Sequence, residues 1–180
     1  MMAKKVLIVT GSPRKGGNTD ILTDAFEKGA RAAGHEVTRI SLSGKKVNGC
    51  LACNYCVSHG GECVQKDDVQ PVLAALRQSD VLILASPIYF YGMSAQICTV
   101  LDRLYAKNGK PFPITETALL LTYADKGNEA AQPAILQHKD IAEYLGWENR
   151  GHVAVGGVWE KGDIKGNPAL AKAEELGRSL

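Results

Sequence analysis

The chain has 180 residues, 45% of them apolar and 22% charged, with a formal net charge of +2. This balance excludes a disordered chain, and the near-neutral charge argues against a nucleic-acid-binding surface. At this length one domain, residues 1–180, is expected to bury its core without staples.

The longest apolar runs, residues 6–9 and 81–85, are far too short to cross a bilayer, so no membrane partner is expected. Lys4 and Lys5 precede the first run as they would in a signal peptide. That run stops at Thr10-Gly11 without a small-residue cleavage site, which predicts a cytoplasmic protein.

In chain order, residues 6–9 read as a buried strand, followed by a helix through Ile21, Leu22, Ala25 and Phe26 that stops at Gly34. Residues 37–42 form a second strand, and an excursion at about 44–67 carries four cysteines. Asp68 is expected to cap a helix whose apolar face is Val69, Val72, Leu73 and Leu76. A third strand at 81–85 is continuously apolar, as a strand covered on both faces should be. A helix over 95–106, a fourth strand at 118–121, a helix over 130–145, a fifth strand at 152–158 and a closing helix over 168–180 complete the chain. This alternation predicts an α/β fold, a doubly wound five-stranded parallel sheet with helices on both faces. Ligands of such sheets bind beyond the carboxyl ends of the strands, which directs attention to the loops after the first, third and fourth strands.

The first of these loops, G-S-P-R-K-G-G-N-T at 11–19, is neither a dinucleotide fingerprint nor a Walker A loop. It nonetheless combines hydroxyls, a guanidinium, small residues and the free amides of a helix start, all of which suit a phosphate dianion. The plainer reading is a polar turn capped by Asn18 or Thr19. The strand–loop–helix order favours the phosphate.

The second loop, S-P-I-Y-F-Y-G-M-S at 86–94, places three successive aromatics in a strand exit. Such side chains are costly to leave in water unless they cover something flat, and a flavin ring fits. A dimer contact, or a loop folded onto the core, would use them equally well.

Cys50, Cys53, Cys56 and Cys63 read C-x2-C-x2-C-x6-C. The first three match the compact spacing of ferredoxin-type ligands, whereas zinc sites more often use two separated knuckles. Small buried hydrophobes or redox-active thiols are the alternative, and spacing leaves both open. Cys98, mid-helix among apolar neighbours, reads as packing. His35, His59, His138 and His152 are scattered and read as surface or loop residues. Trp147 and Trp159 flank the fifth strand and read as packing, while Asp163 and Lys165 read as a solvated turn.

The two loops, the cysteine run with Asp67-Asp68, and Leu101-Asp102-Arg103 together resemble the flavodoxin-like NAD(P)H-dependent FMN reductases. Within that family they are most similar to the branch of iron–sulfur flavoproteins and multimeric flavodoxin-type quinone reductases. The resemblance is specific from Lys5 to about Tyr105 and weaker beyond it. It implies strand order 2-1-3-4-5 and an FMN phosphate held by Ser12, Arg14, Asn18 and Thr19, with Lys15 and Gly17 beside it. It implies an isoalloxazine lined by Pro87, Ile88, Tyr89, Phe90, Tyr91, Gly92 and Met93, closed on its other side by Tyr123, Lys126 and Gly127. It further implies a [4Fe–4S] cluster on Cys50, Cys53, Cys56 and Cys63, and a structural role for Asp102 and Arg103. The expected activity takes hydride from NAD(P)H and passes electrons to a quinone, free flavin, other small acceptor or bound cluster. No catalytic acid–base side chain is expected, and a homo-oligomer is the expected assembly. The rival reading is a non-catalytic electron carrier docking on redox partners. Such carriers are usually strongly acidic, and a net charge of +2 argues against it.

Overall fold

The computed structural model describes residues 2–180. In chain order it contains β1 (Lys5–Thr10), α1 (Asn18–Ala32), β2 (Glu36–Ser41), α2 (Tyr55–Ser58), α3 (Gln70–Leu76), β3 (Val81–Tyr89) and β4 (Gly92–Met93). There follow α4 (Ala95–Arg103), β5 (Glu116–Thr122), α5 (Gln132–Leu145), β6 (Glu148–Val155) and α6 (Ala169–Arg178).

Strand side chains alternate between two cores. Val6 and Ile8 of β1 join Ile83 and Leu120 on the face covered by Leu22 and Phe26 of α1 and Ala173 of α6. Leu7 and Val9 point the other way, against Val72 and Leu76 of α3 and Ile97 and Val100 of α4. Strands apolar on both faces are what a doubly covered parallel sheet demands. The sheet runs β2-β1-β3-β5-β6, with every pairing along that path parallel. With the two-residue β4 set aside, this is the expected 2-1-3-4-5 order of the flavodoxin-like fold.

Helices α1 and α6 approach closely because Gly29 and Gly177 carry no side chain. A Cβ on Gly29 would run into the Glu174 carbonyl, and one on Gly177 into the Phe26 carbonyl.

Several expectations need correction. The fifth strand starts earlier than predicted and ends at Val155, and the helix at 95 gives way to a tighter 3-10 turn over Leu104–Asn108. Asp68 does not cap α3, whose N-cap is Val69 with no side-chain bond. The Asp68 carboxylate instead accepts from the Lys46 N–H at 2.7 Å, while Asp67 accepts from Val69 N–H at 3.3 Å. His35 and His138 are buried rather than superficial. Among the described residues no helix is long and apolar enough to cross a membrane.

Buried His138 shares a 2.9 Å hydrogen bond with the Thr117 hydroxyl. Burial, with a smaller push from His152, lowers its pKa from the usual 6.5 to about 4. The folded chain therefore holds His138 neutral while the unfolded chain takes up a proton. Its contribution is complete above about pH 6.5 and is lost as pH falls towards 4. Urea unfolding of wild type should show a loss of about 2 kcal/mol from this group between about pH 7 and pH 5. His138→Gln should flatten that slope; an unchanged slope would contradict the assignment.

Candidate active site

At their carboxyl ends β1, β3 and β5 enclose a cleft of about 420 Å³. One end is built for an anion. The Ser12 hydroxyl, buried at the loop's start, accepts from the Arg14 N–H at 3.2 Å and so curls the loop towards α1. Opening amides of a helix have no carbonyl one turn back. Here the Gly16 N–H donates to Asp20 at 2.7 Å and the Gly17 N–H to the Arg14 carbonyl at 3.0 Å. Those of Asn18 and Thr19 have no protein acceptor among the described residues, and both residues line the cleft. The Thr19 and Thr122 hydroxyls share a 2.7 Å hydrogen bond in the floor. Only one hydrogen lies between them, so the other remains free for an acceptor in the cleft. Arg14 donates from Nη1 to the Trp159 carbonyl at 2.8 Å, which leaves the rest of its guanidinium fork available.

The other end is aromatic. β3 turns back into β4 through Phe90 and Tyr91, with Tyr89 paired to Gly92. Both turn residues have positive φ, 47° and 67°. A two-residue turn of this kind favours Asn and Gly, so two aromatics there are strained. The Phe90 side chain at this turn is fully exposed, flanked by Tyr89 at 50% and Tyr91 at 58% exposure. Opposite stand Tyr123, Ala124, Val158 and Trp159. Burial, then the nearby carboxylates of Asp125 and Glu129, raise the Tyr123 pKa, so its phenol stays protonated.

Of the residues expected at this site, Ser12, Arg14, Asn18, Thr19, Pro87, Ile88, Tyr89, Phe90 and Tyr123 line the cleft together. The remainder lie outside its lining. Gly17 is the buried N-cap of α1, where a Cβ would come within 2.9 Å of the Arg14 carbonyl. Met93 is a core residue, Gly92 holds the β3–β4 pairing, and Tyr91 and Lys15 are exposed. Lys126 is exposed next to Gly157, and the Gly127 N–H donates to the Asp125 carboxylate at 3.1 Å. Thr122, Ala124, Val158 and Trp159 complete the cleft without a sequence signal of their own. Trp159 was expected to pack, yet it is 64% exposed at the cleft wall. Trp147 does pack, against the core.

Across the molecule, the cysteine excursion is fastened by Arg103 of α4. Its guanidinium is buried and donates to the Asn48 carbonyl at 2.9 Å, to Asp67 at 2.8 and 3.3 Å, and to Cys63 Sγ at 3.0 Å. Burial raises the Cys56 pKa above the ordinary thiol value. The four thiols Cys50, Cys53, Cys56 and Cys63 are not gathered, for among the described residues no three His, Cys, Asp or Glu side chains converge as metal ligands.

The fold is flavodoxin-like, with its cleft at the carboxyl ends of the strands. Residues 4–158 match the NADPH-dependent FMN reductase family, and the chain belongs to it. Among its relatives, an iron-sulfur flavoprotein of Archaeoglobus fulgidus is 39% identical over 107 residues, covering 59% of this chain and 48% of that protein. An iron-sulfur flavoprotein of Methanosarcina thermophila is 29% identical over 167 residues, covering 92% of this chain and 84% of the other. The aligned part spans about half the length of several such relatives, for example 48% and 51%. Among solved structures, an NAD(P)H:quinone oxidoreductase from Methanothermobacter marburgensis superposes with a TM-score of 0.77 at 20% identity. That superposition covers 99% of this chain and 96% of the other.

Proposed function

We propose that this chain binds FMN in the cleft and acts in the cytoplasm as an NAD(P)H-dependent oxidoreductase delivering electrons to a quinone, flavin or other small acceptor. The observation that carries the reading is an anion cradle and an aromatic wall in one crevice, matching the two ends of a flavin mononucleotide. Ser12, the free part of the Arg14 fork and the N–H groups of Asn18 and Thr19 would hold the phosphate, aided by the helix dipole. Pro87, Ile88, Tyr89, Phe90 and Tyr123 would line the ring. When bound, FMN supplies hydride chemistry at N5.

The protein's share is positioning and exclusion of water. Thirteen residues line the cleft, and none is a carboxylate or histidine. With neither of those groups in the lining, the rate of hydride transfer should vary little around neutral pH. Purified protein should be yellow and release one FMN per chain on denaturation. Colourless protein that takes up no FMN would overturn the reading.

The excursion supports a second element of the proposal, a [4Fe–4S] cluster on Cys50, Cys53, Cys56 and Cys63. The four cysteines share one short excursion fastened by Arg103, whose cation on Cys63 is placed to stabilise thiolate charge. Cluster binding would draw together the exposed segment 50–56. Anaerobic preparations should hold about four iron atoms per chain, and Cys63→Ala should lose them. Iron-free protein with undiminished reductase activity would remove the cluster from the mechanism. The exposed aromatic tip and the excursion would serve as contact faces of a homo-oligomer, which light scattering would detect and a single-chain mass would contradict.

A further inference from the structure

Asn18 sits in the phosphate loop, but its side chain is turned to another task. Its Nδ2 donates to the Glu160 carbonyl at 2.8 Å, and its Oδ1 accepts from the N–H of Gly162 at 2.9 Å and of Ile164 at 3.4 Å. These contacts join residues more than 140 positions apart in the chain. Asp163 ties the same segment from within, accepting from the N–H groups of Trp159 at 3.0 Å and Glu160 at 2.7 Å. Ile164 anchors it in the core at 0% exposure. At its other end the Gly157 N–H donates to the Asp125 carbonyl and the Val158 N–H to the Tyr123 carbonyl. Residues 157–164 are thus a pinned strap along the cleft, and Trp159 is its exposed large apolar side chain.

We infer that Asn18 and Asp163 are positioning residues that fix this strap so that the Trp159 indole packs on the planar ring bound in the cleft. Asn18 therefore contributes to cofactor binding chiefly through the ring, by holding the strap. The physical basis is economy of donors and acceptors. An amide offers two N–H hydrogens and one carbonyl oxygen, and here the oxygen already accepts two bonds while one of the two N–H hydrogens is held by the Glu160 carbonyl, so most of its bonding capacity serves the strap. An indole held in place by its own backbone loses little entropy on stacking, and aromatic contact adds to area burial. The inference rests on the proposal that FMN occupies the cleft.

FMN and riboflavin, which carry the same ring with and without the phosphate, separate the two roles. Both would be titrated into flavin-free protein, with binding read from the change in flavin fluorescence. Trp159→Ala should weaken both ligands by a similar factor, about tenfold, and Trp159→Phe should restore most of the loss. Asn18→Ala and Asp163→Ala should also weaken both ligands equally, and Asn18→Ala should add little in the Trp159→Ala background. Asp163 stands outside the phosphate loop, so its variant reads the strap alone; circular dichroism and thermal melting confirm that each variant is folded. If Asn18→Ala weakened FMN and left riboflavin unchanged, Asn18 would be a phosphate ligand and the inference would fail. Unchanged affinities in Trp159→Ala would equally overturn it. Wild-type protein that binds neither flavin would instead refute the proposal of FMN binding itself.

Discussion

Arg14→Ala should weaken FMN binding about 10- to 100-fold, the loss expected when a charge-assisted guanidinium–phosphate contact is removed. Riboflavin affinity should stay close to wild type. The selectivity follows from geometry. One Nη1 hydrogen of Arg14 reaches the Trp159 carbonyl, and Arg14 lines the same cleft as Asn18 and Thr19 at the start of α1. Losing the Trp159 contact leaves the strap held by Asn18 and Asp163. Arg14→Lys, which keeps the charge without the planar fork, should fall between the two. Raising ionic strength should weaken FMN more than riboflavin in wild type and should matter less in Arg14→Ala. Equal losses for both ligands would place Arg14 in the scaffold rather than at the phosphate.

The second large effect concerns Arg103. Its guanidinium and the Asp67 carboxylate are both nearly inaccessible, at 1% and 7% side-chain exposure. Removing one member of a buried pair leaves an uncompensated charge, so Arg103→Ala should cost about 3–5 kcal/mol by urea unfolding. Replacing both members with apolar residues, as in Arg103→Met with Asp67→Leu, should recover most of that loss. The deficit should depend on pH with a definite sign. Burial raises the Asp67 pKa, but hydrogen bonds and charge from Arg103, with the Asn48 and Val69 N–H groups, bring it below the usual carboxylate value. Its contribution is present above the ordinary aspartate pKa and is lost as pH falls through the lowered one. Without Arg103 the burial effect dominates and the carboxyl protonates more readily when folded. The gap between wild type and Arg103→Ala should therefore narrow in acid. A loss below about 1 kcal/mol would mean that the pair is solvated and that the excursion is held by other contacts.

These two arginines mark how far the sequence could be read. The apolar strands at 6–9, 81–85 and 118–121 announce a doubly covered sheet, because burial on both faces leaves no polar alternation. The loop at 11–19 declares its chemistry through local spacing, since cradle and helix start are adjacent in the chain. Arg103 was recognised as structural, but its partners Asp67 and Cys63 lie 36 and 40 residues away. The exposure of Trp159 and the bonds from the Asn18 side chain to the strap are invisible in the sequence for the same reason. The strap meets the first loop only after the sheet has folded, and nothing local to Trp159 distinguishes a cleft wall from a packing residue. The burial of His138 is not legible locally, because it depends on the sheet behind it, here on Thr117.

The most direct test of the whole account is anaerobic addition of NADPH, and separately NADH, to the protein loaded with one FMN per chain. The yellow absorption should bleach at two electrons per flavin with at least one of the nucleotides and return when a quinone is added. Protein that holds FMN yet stays yellow in excess of both nucleotides would contradict the reductase and leave a passive electron carrier.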